Sequence, residues 1–134
     1  MITLNELLTS PCDNKEHLEN LNDLLIKLNK MREAYGKPLR VTSGYRSMAD
    51  HLRIYAAKGI TDQSKIPMKS KHLYGQAADL VPMDESITAF QFWIKDNIKL
   101  MEEIGFWFES FDATKTWAHF QIVPPTSGNR FFVP

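Results

Sequence analysis

Two features that often reveal a protein's setting are scarce in this sequence: cysteine and net charge. Cys12 is the only cysteine, so no disulfide can form within the chain. The 16 basic and 16 acidic residues cancel to a formal net charge of zero. Without excess positive charge, the chain lacks the long-range attraction that draws proteins to nucleic acids or anionic membranes. We therefore expect no nucleic-acid partner.

Long apolar segments are lacking as well. No run of about 18 apolar residues occurs, so we expect no membrane-spanning helix. The first residues, Met1 to Leu8, have neither a basic start nor a long apolar stretch, unlike a secretory signal. We therefore expect the protein in the cytoplasm of the cell that makes it. The length of 134 residues predicts one domain over residues 1–134, which we expect to be a monomer.

Hydrophobic spacing predicts three helices and four strands. Apolar residues at three- and four-residue steps indicate helices over residues 13–35, 47–58 and 84–104. Asp13 and Glu16 are predicted to form a capping box at the start of the first helix. Segments of β-prone residues indicate strands over residues 39–43, 77–81, 106–109 and 117–122. Together these elements predict an α+β fold, in which a small antiparallel sheet packs against about three helices.

The segment Ser70–Asp79 contains potential metal ligands, and a further histidine lies downstream at His119. Gly75 opposes a helix and permits a tight reversal, so His72 before the turn can face Asp79 on the strand that follows. His119 can join them if its strand pairs with that of Asp79. Two histidines and an aspartate form an open zinc site, which leaves a position for water. The residues alone are also consistent with histidines that are simply hydrogen-bonded in the core or exposed.

Three motifs resemble those of the zinc D-Ala-D-Ala carboxypeptidase and L-alanyl-D-glutamate endopeptidase family. The matching residues occur in the family's order: Ser43-Gly44-Tyr45-Arg46-Ser47, then Ser70, His72, Gly75, Ala77 and Asp79 in the spacing Ser-x-His-x-x-Gly-x-Ala-x-Asp, then Trp117-Ala118-His119. The resemblance covers roughly residues 39–122. It implies the hedgehog-type fold that this family shares with hedgehog signalling domains.

The resemblance also implies roles for individual residues. It implies that His72, Asp79 and His119 bind Zn²⁺. It implies that Arg46 stabilises negative charge on the substrate carbonyl oxygen, the alternative being an arginine that only ties its loop to the sheet. For Ser70 three roles remain open: to bind substrate, to support the metal site, or only to hydrogen-bond the backbone of the turn.

The general base is the point where this chain departs from the family pattern. Relatives usually have an acidic residue two or three positions before the last histidine, where this chain has Trp117 and Thr116. Glu109 is the preferred substitute, because Phe108-Glu109 resembles the end of the preceding strand in some phage-type relatives, and Asp112 is the second candidate. The alternative is that both acids are solvated. Trp117 is expected to pack against the sheet and to form a wall of the cleft.

The resemblance implies a zinc metallopeptidase that cleaves a peptide bond in peptidoglycan stem peptides. The protein would be a phage or prophage endolysin, which is stored in the cytoplasm and acts on the cell wall after release. The missing acid favours a second hypothesis, a catalytically weak or inactive zinc-containing module that binds the wall or another protein, as hedgehog domains do. A phage structural component that grips or trims the wall is a third. His51, on the second predicted helix, is predicted to lie at the surface or at a rim.

Overall fold

A five-stranded sheet forms the centre of the computed structural model, which describes residues 1–134. The strands are β1 (Leu39–Ser43), β2 (Ala77–Pro82), β3 (Trp107–Glu109), β4 (Ala118–Gln121) and β5 (Phe131–Phe132). Their order across the sheet is β1-β2-β4-β3-β5. The first four pair antiparallel, whereas β5 pairs parallel with β3, so the sheet is mixed. The four predicted strands are confirmed, and β5, at two residues, is too short to have an alternating pattern.

Five helices accompany the sheet, and the α+β fold predicted from the sequence is confirmed. They are α1 (Leu4–Leu7), α2 (Lys15–Tyr35), α3 (Met48–Ala57), α4 (Ile87–Asp96) and α5 (Ile98–Ile104). Two short 3₁₀ turns cover Gln63–Lys65 and Lys71–Tyr74. None of the helices is both long enough and apolar enough to cross a membrane.

Two helix boundaries differ from the prediction for local reasons. Asn14, rather than Asp13, caps α2, because its side chain accepts the backbone N–H of His17. The third predicted helix is broken into α4 and α5 at Asn97, whose side-chain amide donates to the carbonyl oxygen of Trp93 at 2.9 Å. A side chain that bonds the preceding turn in this way competes with the helical backbone pattern.

The two faces of the sheet differ sharply in chemistry, because side chains alternate along each strand. On one face, Leu80 of β2, Phe108 of β3 and Phe120 of β4 join a cluster of 18 buried hydrophobic residues that includes side chains of α2, α4 and α5. On the other face, β2 and β4 present Asp79 and His119. The packed face thus holds the strands in place while the opposite face remains available for polar chemistry.

Candidate metal centre

His72, Asp79 and His119 lie together on the polar face, with one ligand atom of each within 4.8 Å of the others. Asp79 and His119 are directly opposite each other in the pairing of β2 with β4. Asp79 Oδ1 lies 2.9 Å from His119 Nδ1, and Asp79 Oδ2 lies 3.3 Å from His72 Nε2. The structure therefore brings the three predicted ligands to one point.

Gly75 brings His72 to this point by reversing the chain. His72 lies in the 3₁₀ turn Lys71–Tyr74, which ends at Gly75 with φ of 74°. This left-handed conformation favours glycine, and a Cβ atom here would lie 2.6 Å from the carbonyl oxygen of His17. The chain can therefore turn tightly against α2 and enter β2 with Asp79 facing back toward His72.

A backbone carbonyl orients the imidazole of His72. Its Nδ1 lies 2.9 Å from the carbonyl oxygen of Gly44, so Nδ1 carries the proton and Nε2 faces Asp79. Gly44 itself packs so tightly against α1 that a Cβ atom would lie 2.1 Å from the carbonyl oxygen of Leu7. The glycine of the Ser-Gly-Tyr-Arg motif is thus needed for a close approach that fixes a candidate metal ligand.

Gln121 orients the imidazole of His119 in the same manner. Gln121 Nε2 donates to the carbonyl oxygen of Val123 at 2.8 Å, which leaves Gln121 Oε1 to accept from His119 Nε2 at 2.9 Å. His119 therefore presents Nδ1 to Asp79. The sequence analysis missed Gln121, although its position two residues after His119 on a strand places both side chains on one face.

The three residues hold an ionised carboxylate between two imidazoles. Burial alone would raise the pKa of the Asp79 carboxyl, but His119 and His72, which donate to it when they are also protonated on the nitrogens that face it, outweigh burial and hold that pKa below its usual range. Burial would lower the pKa of His119, yet the hydrogen bond to Asp79 and its charge raise it. Two oriented imidazole nitrogens that converge on one ionised carboxylate form a donor set that fits zinc.

Glu109 lies beside this centre and Asp112 does not. Glu109 ends β3, and its Oε1 lies 3.4 Å from His119 Nδ1, with the side chain 21% exposed. Asp112 is exposed in the following turn and is absent from the cavity wall. Of the two acids that the sequence offered as a base, the structure brings only Glu109 to the candidate ligands.

The other predicted site residues line a cavity of about 950 Å³ that opens beside the centre. Arg46, Ser70 and Trp117 all contribute to its wall, together with Glu109. The hydroxyl of Ser70 makes no capping hydrogen bond with the turn that it begins, so that alternative is not observed. Trp117 also lines a second cavity.

His51 is buried and lines the main cavity, so of the predicted surface or rim position the surface position was wrong. Only 1% of it is exposed, because α3 turns this side chain toward the loop that precedes His72. His51 Nδ1 lies 3.3 Å from Arg46 Nη1, and Nε2 lies 2.9 Å from the carbonyl oxygen of Pro67. A guanidinium can only donate, so Nδ1 accepts and Nε2–H donates to Pro67. Burial lowers the pKa of His51, which favours this neutral form.

Arg46 is held by two neighbours that leave part of its guanidinium free. Its Nη2 donates to Ser43 Oγ at 3.1 Å, and its Nη1 faces His51 as described. Its Nε is buried and has no hydrogen-bond partner. A buried donor without a partner is uncommon and disfavoured, so the protein itself leaves one donor of this side chain unsatisfied.

Comparison with known proteins identifies the family. The model of the family described as Peptidase M15 matches residues 1–108. The chain therefore belongs to the Peptidase M15 family, and the family resemblance is confirmed. The matched residues include His72 and Asp79 and end before β4, which carries His119. None of the curated proteins matches the chain.

Two solved structures share the fold. One is VanYB in complex with D-Alanine-D-Alanine, which is 22% identical with a TM-score of 0.51, over 77% of this chain and 70% of that chain. The other is the L-Ala D-Glu endopeptidase ChiX from Serratia marcescens, which is 24% identical with a TM-score of 0.52, over 90% of this chain and 96% of that chain.

Proposed function

We propose that the protein is a zinc-dependent peptidase that hydrolyses a peptide bond in the stem peptides of bacterial peptidoglycan. The observation that carries this proposal is the convergence of His72, Asp79 and His119, with both imidazoles oriented by hydrogen bonds on their far sides. Membership of the Peptidase M15 family supports hydrolysis of a peptide bond. The substrate follows from the names of the two structural neighbours, one bound to D-Alanine-D-Alanine and the other an L-Ala D-Glu endopeptidase.

Zinc would be held by His72 Nε2, Asp79 and His119 Nδ1. When bound, a zinc ion in such a site polarises a carbonyl group and makes water a usable nucleophile near neutral pH. Gly44 and Gln121 keep the two imidazoles in the protonation state that binding requires, since each accepts the N–H that is not needed for the metal.

Glu109 is the proposed general base. Its carboxylate lies against the proposed ligands and lines the cavity, so it can accept a proton from water and pass it to the leaving amine. Glu109 lies on β3, which is adjacent to β4 in the sheet. From there it would take over the role of the acid that relatives have just before the last histidine. Asp112 remains the less favoured candidate because it is exposed outside the cavity.

Arg46 is proposed to stabilise the negative charge that develops on the carbonyl oxygen during attack. The contacts with Ser43 and His51 fix its guanidinium, and a fixed donor needs little reorganisation as the charge forms. Ser70 and Trp117 would contact the peptide, since both line the same cavity. These roles depend on a substrate bound across the polar face of the sheet.

The biological setting forms a further part of the proposal. A phage or prophage endolysin, stored in the cytoplasm until it reaches the wall, is the setting that the family resemblance suggests. The 18-residue hydrophobic cluster, to which helices and sheet both contribute, supports one domain over residues 1–134. We expect that domain to act as a monomer.

Digestion of purified peptidoglycan tests the proposal. The zinc-loaded protein should release new peptide termini that mass spectrometry identifies, and a chelator should abolish them. The positions of those termini distinguish an endopeptidase from a carboxypeptidase. If no wall type yields a chelator-sensitive product, the peptidase proposal is wrong.

A second candidate function is a zinc-containing module that binds the wall or a protein without cleaving it. Thr116 and Trp117, at the positions where relatives have an acid, are the observation that favours it. Co-sedimentation with peptidoglycan in the absence of any new terminus would support this alternative.

A further inference from the structure

A second cavity, of about 370 Å³, shares Trp117 with the main cavity. Its wall consists of Arg40, Thr42, Asp79, Val81, Thr116 and Trp117. Asp79 and Trp117 line both cavities, so the two form neighbouring parts of one surface on the polar face of the sheet. A peptide that occupies the main cavity can therefore extend into the second.

Arg40 gives the second cavity a positive charge without a partner. The ion pairs formed by lysine or arginine in this structure involve Lys27, Lys37 and Arg53, and Arg40 is in none of them. A guanidinium matches the planar geometry of a carboxylate and binds it through two parallel hydrogen bonds. Thr42 and Thr116 add hydroxyl groups beside it, whereas Val81 and Trp117 form the apolar part of the wall.

The main cavity has more basic than acidic residues in its wall. Arg46, Lys58, Lys69 and Lys71 line it, and none of these four is in an ion pair. The acids that line either cavity are Asp79 and Glu109, which both belong to the candidate centre. Because the whole chain has a net charge of zero, this positive surface is a local feature of the two cavities.

The sheet register gives the spacing between Arg40 and the centre. Arg40 is paired with Val81 of β2, two residues along the strand from Asp79. At a rise of about 3.4 Å per residue, Val81 lies about 7 Å from Asp79. An extended peptide that runs along β2 has the same rise per residue, so Arg40 would face a part of it one or two residues from the bond at the centre.

We propose that Arg40 and the cavity around it bind a carboxylate of the substrate peptide, one or two residues from the cleaved bond. Arg40 is thus a specificity residue, and the preferred substrate is an anionic peptide. This inference rests on the proposed function, because it assumes that a peptide lies across the candidate centre.

The test uses two matched pairs of peptides with the zinc-loaded protein. One pair contains L-Ala-D-Glu with the free glutamate carboxylate or its primary amide, and the other ends in D-Ala-D-Ala with a free carboxyl terminus or its amide. Wild type should prefer the carboxylate form of at least one pair by about tenfold, in both Kd and kcat/KM, as expected for hydrogen bonds to a charged group. Arg40→Gln should reduce that preference to less than about twofold, and Arg40→Lys should retain part of it.

Lys99→Gln is the control, because it removes one positive charge from an exposed position on α5, outside both cavities. It should keep the wild-type preference. The inference is overturned if Arg40→Gln keeps the preference, if Lys99→Gln loses it equally, or if wild type binds neither form or both forms alike. Because Kd is measured without turnover, an Arg40-dependent preference in binding alone supports this subsite even where no peptide is cleaved, and the peptidase proposal then fails separately.

Discussion

At the scale of single residues, the proposed function makes turnover depend on Glu109. Its carboxylate is the acid beside the proposed ligands, whereas Asp112 is exposed three residues further on. Glu109→Gln keeps the shape and removes the base, so kcat should fall by about 10²–10⁴-fold. The measurement is kcat on a stem peptide with zinc content recorded in parallel.

Asp112→Asn is the matched control for that change and should leave kcat within about twofold. If Glu109→Gln were fully active while Asp112→Asn was not, the assignment of the base would be reversed. If neither variant lost activity, no side chain of this hairpin would be the base.

His51 allows a second prediction at this scale, because it contacts Arg46 and not the proposed ligands. His51→Phe keeps a buried ring and removes both hydrogen bonds, so the guanidinium of Arg46 becomes mobile. We expect kcat to fall while zinc content is unchanged. The double variant His51→Phe, Arg46→Gln should be no slower than Arg46→Gln alone, because residues that act through each other are not additive.

Arg53→Gln, on the same helix but exposed, is the control for general damage to α3. An additive loss of kcat in the double variant would contradict a role for His51 in positioning Arg46. Nitrogen NMR of the wild-type imidazole gives an independent readout, and a proton found on Nδ1 instead of Nε2 would refute the hydrogen-bond pattern.

At the scale of elements, the C-terminal end of α2 is tied to the turn before α4. Tyr35 donates to Glu85, and Lys37 Nζ lies 3.2 Å from Glu85 Oε2. The hydrogen bond from Tyr35, followed by Lys37, lowers the pKa of Glu85 below its ordinary value. A lowered pKa in the folded state means that ionised Glu85 stabilises the fold above its unfolded pKa, and that this contribution is lost as the pH falls through the folded value.

Glu85→Gln should therefore lower Tm slightly at pH 7, by a few degrees at most, because solvent still reaches this half-buried ion pair and screens it. The difference from wild type should shrink as the pH falls below the ordinary glutamate value of 4.5 and disappear in stronger acid. Thermal unfolding between pH 7 and strong acid measures it, with Asp84→Asn as the neighbouring exposed control. A difference that grew toward acid would contradict the sign of this linkage.

The elements also show how far sequence patterns reach. Residues 15–35 and 77–82 form a helix and a strand because long periodic segments bury one face, and the sequence predicted both. The α1 helix and β5 have four and two residues, too few for a period to be read. The motif with Gly75 between them predicted that His72 and Asp79 would face each other. The burial of His51 depends on Pro67, 16 residues away, and no local pattern encodes that contact.

At the scale of the whole molecule, the candidate centre joins distant parts of the chain. Asp79 and His119 are 40 residues apart in sequence, and the loop between them contains α4, α5 and β3. A metal bound by both closes this loop and stabilises only the folded state. At zinc concentrations about 100 times Kd, zinc binding should raise the free energy of unfolding by about 2.7 kcal/mol. This corresponds to a Tm increase on the order of 10 °C.

His119→Ala should abolish that increase, whereas Glu109→Gln, which removes no proposed ligand, should retain it. Calorimetry with zinc and with a chelator measures both. An equal zinc-dependent rise in His119→Ala would exclude His119 from the ligand set. Because unfolding is measured rather than turnover, the result holds whether or not a substrate is found.

The order of the strands along the chain also determines when the candidate centre can form during synthesis, because β4 is made after β2 and β3. A ribosome makes β2, with Asp79, long before it makes β4, with His119. Until β4 emerges, β2 lacks one neighbour and the proposed ligand set lacks its last member, although β1 can already pair. The nascent chain therefore cannot bind metal in its final form before His119 has been made. Any hydrolytic activity begins only after β4 has joined β2.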